Sequence, residues 1–205
     1  MWGSPRWPVT LESGDLVLRP IRYRDEGEWS EVRARNARWV GPWEASNPLP
    51  GGALPTFAGM VRSLNQQAKR SSALPFLITE RQDGPRSRPV IVGQLTVSGI
   101  IWGSARMATL GYWVDRARAG RGIAPTAVAL ATDYCFSGLG LHRMEINIRP
   151  ENGPSLRVVE KLGFRDEGLR ERYLHIAGSW TDHRSFALTA EEVPEGLLNR
   201  WNRSR

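Results

Sequence analysis

Apolar and polar residues alternate through Gly14 to Ile21 (GDLVLRPI), the period of a strand with one face buried. The spacing then changes to that of a helix: "RDEGEWSEVRARN" sets Trp29 and Val32 on one side. "GPWEASNPLPGG", Gly41 to Gly52, breaks the pattern as a proline- and glycine-rich loop, and it carries Trp43 and Glu44. A second amphipathic helix follows from Pro55, with Phe57, Met60, Val61 and Leu64 on its apolar side. Three strands are predicted next, at Ala73–Arg81, Pro89–Ile100 and Ala105–Asp115, the first two flanking a hairpin-like "QDGPRSR". A helix from about Ile123 to Phe136 has Leu130, Ala131, Tyr134 and Cys135 as its expected apolar face. A strand at His142–Pro150 and a short helix ending at Gly163, a left-handed cap, come after it. The chain then closes with two strands around Ala177-Gly178-Ser179. The order β, α, α, three strands, α, β, α, β, β predicts an α+β domain. With no internal repeat or break in composition, residues 1–205 read as one domain with an ordered core of about 10–190.

Composition narrows this picture only slightly. Forty per cent hydrophobic residues and nine tryptophans exclude a disordered chain. The single cysteine, Cys135, cannot pair within the chain and reads as a small buried apolar residue. No run approaches a membrane span, and "MWGSPRWP" is no signal peptide, so a soluble cytoplasmic protein without a membrane partner is expected. His142, His175 and His183 are scattered, so no metal site is expected and all three are read as structural. The net charge of +7 points to an anionic partner such as RNA, the ribosome or a polyanionic cofactor. That signal is diluted, because 26 of the 28 basic residues are arginines interspersed with acids, as in "RPIRYRDEGEWSEVRARNAR".

The densest chemistry lies in "DRARAGRGIAP", between a strand and a helix. A helix N-terminus offers unpaired N–H groups and a partial positive charge. Glycines let backbone amides approach an oxygen closely, so Gly120 and Gly122 make this a candidate pyrophosphate cradle. No Gly-Lys-Ser/Thr follows, and Pro125 stands where a dinucleotide fingerprint needs its third glycine. A flexible basic loop explains the same residues equally well.

Together with "RPENGPSLRVVEKLGF" downstream, however, "RAGRGIA" resembles the GCN5-related N-acetyltransferases (GNAT). Gly120 to Ala124 match the glycine part of their motif, and Asn152, Ser155, Lys161, Leu162, Gly163 and Phe164 match the second part. "LVLRPIRYRDEGEW", "NARWVGPWE", "LGYWVD" and "YLHIAGSWTDH" extend the resemblance over essentially the whole chain. They are similar to the Rim-type ribosomal-protein N-alpha-acetyltransferases, and most to the branch that acts on an N-terminal alanine. The resemblance implies a three-layer acyl-CoA N-acyltransferase fold, with a mixed, mostly antiparallel sheet of six to seven strands and helices on both faces. It implies acetyl-CoA as cofactor, direct amine attack on the thioester, and a protein N-terminus as partner, with ribosome association possible and no DNA role.

The site residues carried over are Trp113 and Val114 at the thioester, and Arg118, Ala119, Gly120, Arg121, Gly122, Ile123 and Ala124 at the pyrophosphate. Asn152 is assigned to the pantetheine arm and Ser155 to the sulfur, as the acid. Three positions depart from the pattern. Ala119 replaces the motif's Gln or Arg, the tyrosine acid of many relatives falls at Val159, and Asn147 stands where one branch has a glutamate. Glu44, in its tryptophan-containing loop, is the favoured base and Glu145 the second. Ordinary roles compete: a loop acid for Glu44, a strand-edge ion pair for Glu145, helix caps for Asn152 and Ser155. Two other functions stay open: acetylation of a small-molecule amine or antibiotic, and a ribosome- or RNA-binding protein with a vestigial acetyl-CoA site.

Overall fold

The protein, seen in a computed structural model that describes residues 7–49, 55–82 and 88–205, is organised around one eight-stranded sheet. Across the sheet run β1 (Leu11–Ser13), β2 (Leu16–Pro20), β3 (Ala73–Glu80), β4 (Val90–Ile101), β5 (Met107–Val114), β6 (Arg143–Ile148), β8 (Ser179–Thr189) and β7 (Arg165–Ile176). Every neighbouring pair is antiparallel except β5 and β6. The count exceeds the expected six to seven because β1, three residues folded back through a turn at Gly14 (φ 54°), is too short to show an alternation. Most residues of the expected hairpin loop, 83–87, and residues 50–52 of the Gly41–Gly52 loop lie outside the described residues.

Six helices, α1 (Glu26–Arg35), α2 (Ala37–Val40), α3 (Phe57–Lys69), α4 (Ile123–Asp133), α5 (Gly153–Leu162) and α6 (Leu197–Arg203), accompany the described strands. α1 and α3 cover one face through Val32 and Val61, which meet Leu77 and Ile91. α4, α5 and α6 cover the other, where the larger core gathers Leu74, Phe76 and Ile78 from β3 with Val128, Leu162 and Trp201. β3 is therefore buried on both sides, and alternate residues serve alternate cores. α4 is buried on nearly every side from Ile123 to Thr132, a wider apolar surface than the single face expected, because α5 and α6 flank it. α3 begins two residues after Pro55, at the point where Thr56 Oγ1 accepts the Gly59 N–H (3.1 Å). No helix among the described residues is long and apolar enough to cross a membrane.

α6 lies beyond the pattern read from the sequence. Its first turn is capped from another helix: Asp133 at the end of α4 accepts the N–H groups of Leu197 (2.6 Å) and Leu198 (3.0 Å). Trp201 in turn donates its Nε1–H to Thr126 Oγ1 (2.9 Å), and Thr126 Oγ1 donates to the Gly122 carbonyl (2.8 Å). The last helix thus braces the entrance to α4.

The other brace is Asp115, 2% exposed, at the end of β5. Its carboxylate accepts from Arg35 Nη2 (2.5 Å), Asn36 Nδ2 (2.9 Å) and the Ala117 N–H (3.2 Å). Asn36 Oδ1 also accepts the Arg116 N–H (2.9 Å), so the α1–α2 junction and the segment after β5 are locked together. Burial pushes the Asp115 pKa up, but these bonds and the Arg35 charge outweigh it and hold the carboxyl below its ordinary range. A depressed folded pKa stabilises the protein above the unfolded value and is lost as pH falls through the folded one. Asp115→Ala is therefore expected to lower the unfolding free energy at pH 7 by about 3 kcal/mol in urea titrations. The gap to the unsubstituted protein should narrow below about pH 4.

Candidate functional site

β5 and β6 pair only at Met107–Thr109 with Arg143–Glu145 and then part. The Asp115 N–H bonds the Val92 carbonyl (2.8 Å), so alternation turns the N–H groups of Val114 and Tyr112 away from β4, toward the gap. Trp39 Nε1–H donates to the Val114 carbonyl (3.2 Å) on that same side. Of the expected thioester pair, Val114 thus presents its amide to the opening, while Trp113 lines the wall with its ring. A cavity of about 900 Å³ occupies the gap and runs from the glycine-rich loop to a cluster of tryptophans.

At the loop end, Gly120 and Gly122 have φ of 81° and 79°, and Gly122 is the N-cap of α4. Only glycine adopts this pair without strain. No acceptor among the described residues meets the amides of Gly120, Arg121, Gly122, Ile123 or Ala124. Five free donors beside a positive helix end fit a pyrophosphate. Ala119 and Arg118 line the cavity with them. Arg118 (2.7 Å) and the more exposed Arg121 (3.3 Å) both pair with Glu80, which holds two guanidiniums beside the loop. Arg157 and Lys161 of α5 add cations to the same cavity, a contribution that sequence reasoning left unassigned for Arg157.

On the opposite wall Asn152 Oδ1 accepts the Ser155 N–H (3.2 Å) and caps α5. Both residues also line the cavity, so the cap and the ligand-facing position coincide. Val159 is buried in the core. Tyr112 was missed by sequence reasoning, though it sits in the quoted "LGYWVD". Its hydroxyl is buried beside Ser155. Burial pushes the phenol well above its ordinary pKa, only partly opposed by the Ser155 hydroxyl, so Tyr112 keeps its proton.

The far end is aromatic: Trp29, Trp39, Trp43 and Trp113 line it with Arg33, Glu44 and Met60. Arg33 lies over both the Trp29 (5.9 Å) and Trp113 (5.1 Å) rings and pairs with Glu44. Glu44 is therefore at the cavity mouth but partnered. Glu145 is not in the cavity lining: it is buried in an ion-pair group with Arg143 (2.7 Å) and Arg170 (3.3 Å). Asn147 donates nothing to this end, and its Oδ1 accepts from Ser185 Oγ (2.6 Å). His142 pairs with Glu191 (3.1 Å) and His175 with Ser46 (2.8 Å). His183, a residue of β8, is buried. No metal-holding group of acids, cysteines and histidines exists among the described residues.

Comparison with known proteins agrees with this geometry. The family model for the acetyltransferase (GNAT) domain matches residues 15–165. The [Ribosomal protein uS5]-alanine N-acetyltransferase of Escherichia coli is 29% identical over 192 residues, 92% of this chain and 94% of that protein. YjcK of Bacillus subtilis is 41% identical over 98 residues, covering 48% of this chain and 54% of its own. The structure of Mycobacterium smegmatis RimJ in complex with CoA-disulfide superposes with a TM-score of 0.86 at 37% identity, over 97% of this chain and 95% of that one.

Gly122 tests the cradle. Gly122→Glu sets a carboxylate among the free amides and should weaken CoA binding at least about 100-fold in calorimetry. Gly122→Ala, whose Cβ meets Trp201 at 3.5 Å, should show only the backbone strain of about 1 kcal/mol in thermal unfolding.

Proposed function

We propose, from the premise that the chain belongs to the GNAT acetyltransferase family and is an acetyl-CoA-dependent N-acetyltransferase, that its acceptor is the N-terminal α-amino group of a ribosomal protein beginning with Ala or Ser. The observation that carries this reading is the nearly full-length similarity to a [ribosomal protein uS5]-alanine N-acetyltransferase and to RimJ. The shape of the acceptor end supports it. The tryptophans offer flat apolar walls for a short extended segment. Among the described residues, the one carboxylate in the cavity lining is Glu44, already partnered by Arg33. A polycationic small molecule would need more acids than that.

The residues divide the work. The amides of Gly120 to Ala124, with Arg118 and Arg121 beside them, hold the pyrophosphate. Asn152 binds the pantetheine arm. The Val114 N–H polarises the thioester oxygen from a fixed position, which removes the cost of orienting a solvent dipole. Ser155 donates a proton to the departing sulfur, with the protonated Tyr112 behind it. Glu44 exchanges Arg33 for the cationic N-terminus at the mouth. Glu145 holds Arg143 and Arg170 in place and has no proton role in this scheme.

Incubation with acetyl-CoA and peptides beginning Ala, Ser or Met, followed by thiol release, tests the acceptor. Turnover is expected with the Ala- and Ser-initiated peptides. Turnover of a small amine with none of the peptides would replace this reading by the small-molecule one. In the same assay Ser155→Ala should lower kcat roughly 100-fold while leaving the acetyl-CoA dissociation constant within threefold.

A further inference from the structure

Next to the main cavity the parted strands enclose a second chamber of about 130 Å³. Leu110, Gly111 and Tyr112 line it from β5, and Ile146, Asn147 and Ile148 from β6. It shares Tyr112, Asn152 and Ser155 with the main cavity, so the two meet at the expected reaction centre. Among its buried polar atoms, Asn147 Nδ2 makes no hydrogen bond within the described protein, and Tyr112 Oη has only the Ser155 hydroxyl beside it, outside good bonding geometry. Buried polar groups take partners, and a polar chamber of this size has room for several water molecules.

His183 of β8 lines the same chamber and is 3% exposed. Its Nδ1 lies 3.0 Å from the Thr181 carbonyl. A carbonyl only accepts, so Nδ1 carries the proton and Nε2 keeps a lone pair. Glu44 and Glu145, the two carboxylates expected as bases, are engaged: Glu44 by Arg33, and Glu145 by Arg143 and Arg170, outside the cavity lining. We infer that His183 is the proton acceptor of the transfer reaction, reached from the acceptor amine through water in this chamber.

The surroundings favour a transient acceptor. Burial and the Arg149 charge oppose the imidazolium, while the Thr181 carbonyl, Asp182 and Glu151 favour it. Tyr173 packs edge-on against the ring (6.1 Å), and Tyr112 faces the chamber in its neutral form. The balance holds His183 below its ordinary pKa, neutral at pH 7. The acceptor ammonium gives its first proton through water to Nε2, which passes it to solvent. The amine lone pair forms the bond to the acetyl carbon as the carbon–sulfur bond breaks, Ser155 gives its proton to the thiolate, and the second proton leaving the new amide nitrogen returns to the Ser155 oxygen. This inference rests on acetyl transfer to an amine, not on the acceptor being a ribosomal protein.

The test is the pH profile of kcat/KM for any amine acceptor the protein turns over. With a proton acceptor of depressed pKa, the profile is flat from pH 6.5 to 8. His183→Asn, which keeps a donor toward Thr181, should instead climb tenfold per pH unit, following the free amine. Its deficit should be on the order of 30-fold at pH 6.5 and close to nil at pH 9, for an amine of pKa about 8. The acetyl-CoA dissociation constant should not change. A loss equal at every pH, or no loss, would overturn the assignment. So would a tenfold-per-unit climb in the unsubstituted protein, a measurement that needs no variant to fold. Absence of turnover with the Ala and Ser peptides, by contrast, would count against the proposed acceptor alone.

Discussion

The parting of β5 and β6 is the constraint on which the rest of the molecule depends. A sheet normally satisfies its backbone groups by pairing, and buried donors left alone are costly. Here two strands pair over three residues and then diverge, which leaves the Val114 and Tyr112 amides aimed into a gap. The gap persists because both strands are held from their outer sides. β4 pairs with β5 as far as Val114, and β8 pairs with β6 as far as Ile148. The same divergence creates the large cavity, the small chamber and the meeting point between them.

Holding a ligand in such a gap requires walls that do not move, and the two braces of the glycine-rich loop supply this. Asp115 and Asn36 fix where the loop leaves β5. Thr126 and Trp201 fix where it enters α4. Between these points the loop has little freedom to lose when a ligand binds, so more of the contact energy appears as affinity. The brace on the β5 side also ties the loop to α1 and α2, which carry Trp29, Arg33 and Trp39. Both ends of the cavity are therefore referred to one buried carboxylate.

The parts legible in the sequence are those with local causes. Strand alternation, the glycines of the loop and the Asn152 and Gly163 helix ends follow from neighbours in the chain, and each was found near its predicted place. α6 was not legible, because its cap comes from Asp133, more than sixty residues earlier. Neither was the strand parting, since a run such as "MATLGYWV" reads the same whether its edge is paired or open. That blindness hid Tyr112. Only the three-dimensional pairing of Arg143 and Arg170 shows that Glu145 is occupied.

The bias toward arginine, uninformative in the bare composition, takes on meaning at the cavity. Among the described residues its lining cations are Arg33, Arg118, Arg157 and Lys161. A guanidinium stays protonated at any physiological pH and has no lone pair to offer an activated acyl group, whereas a lysine amine does. A pocket that draws polyanions with arginine gains the attraction without lining itself with competing nucleophiles. Lys161 is the exception among these four.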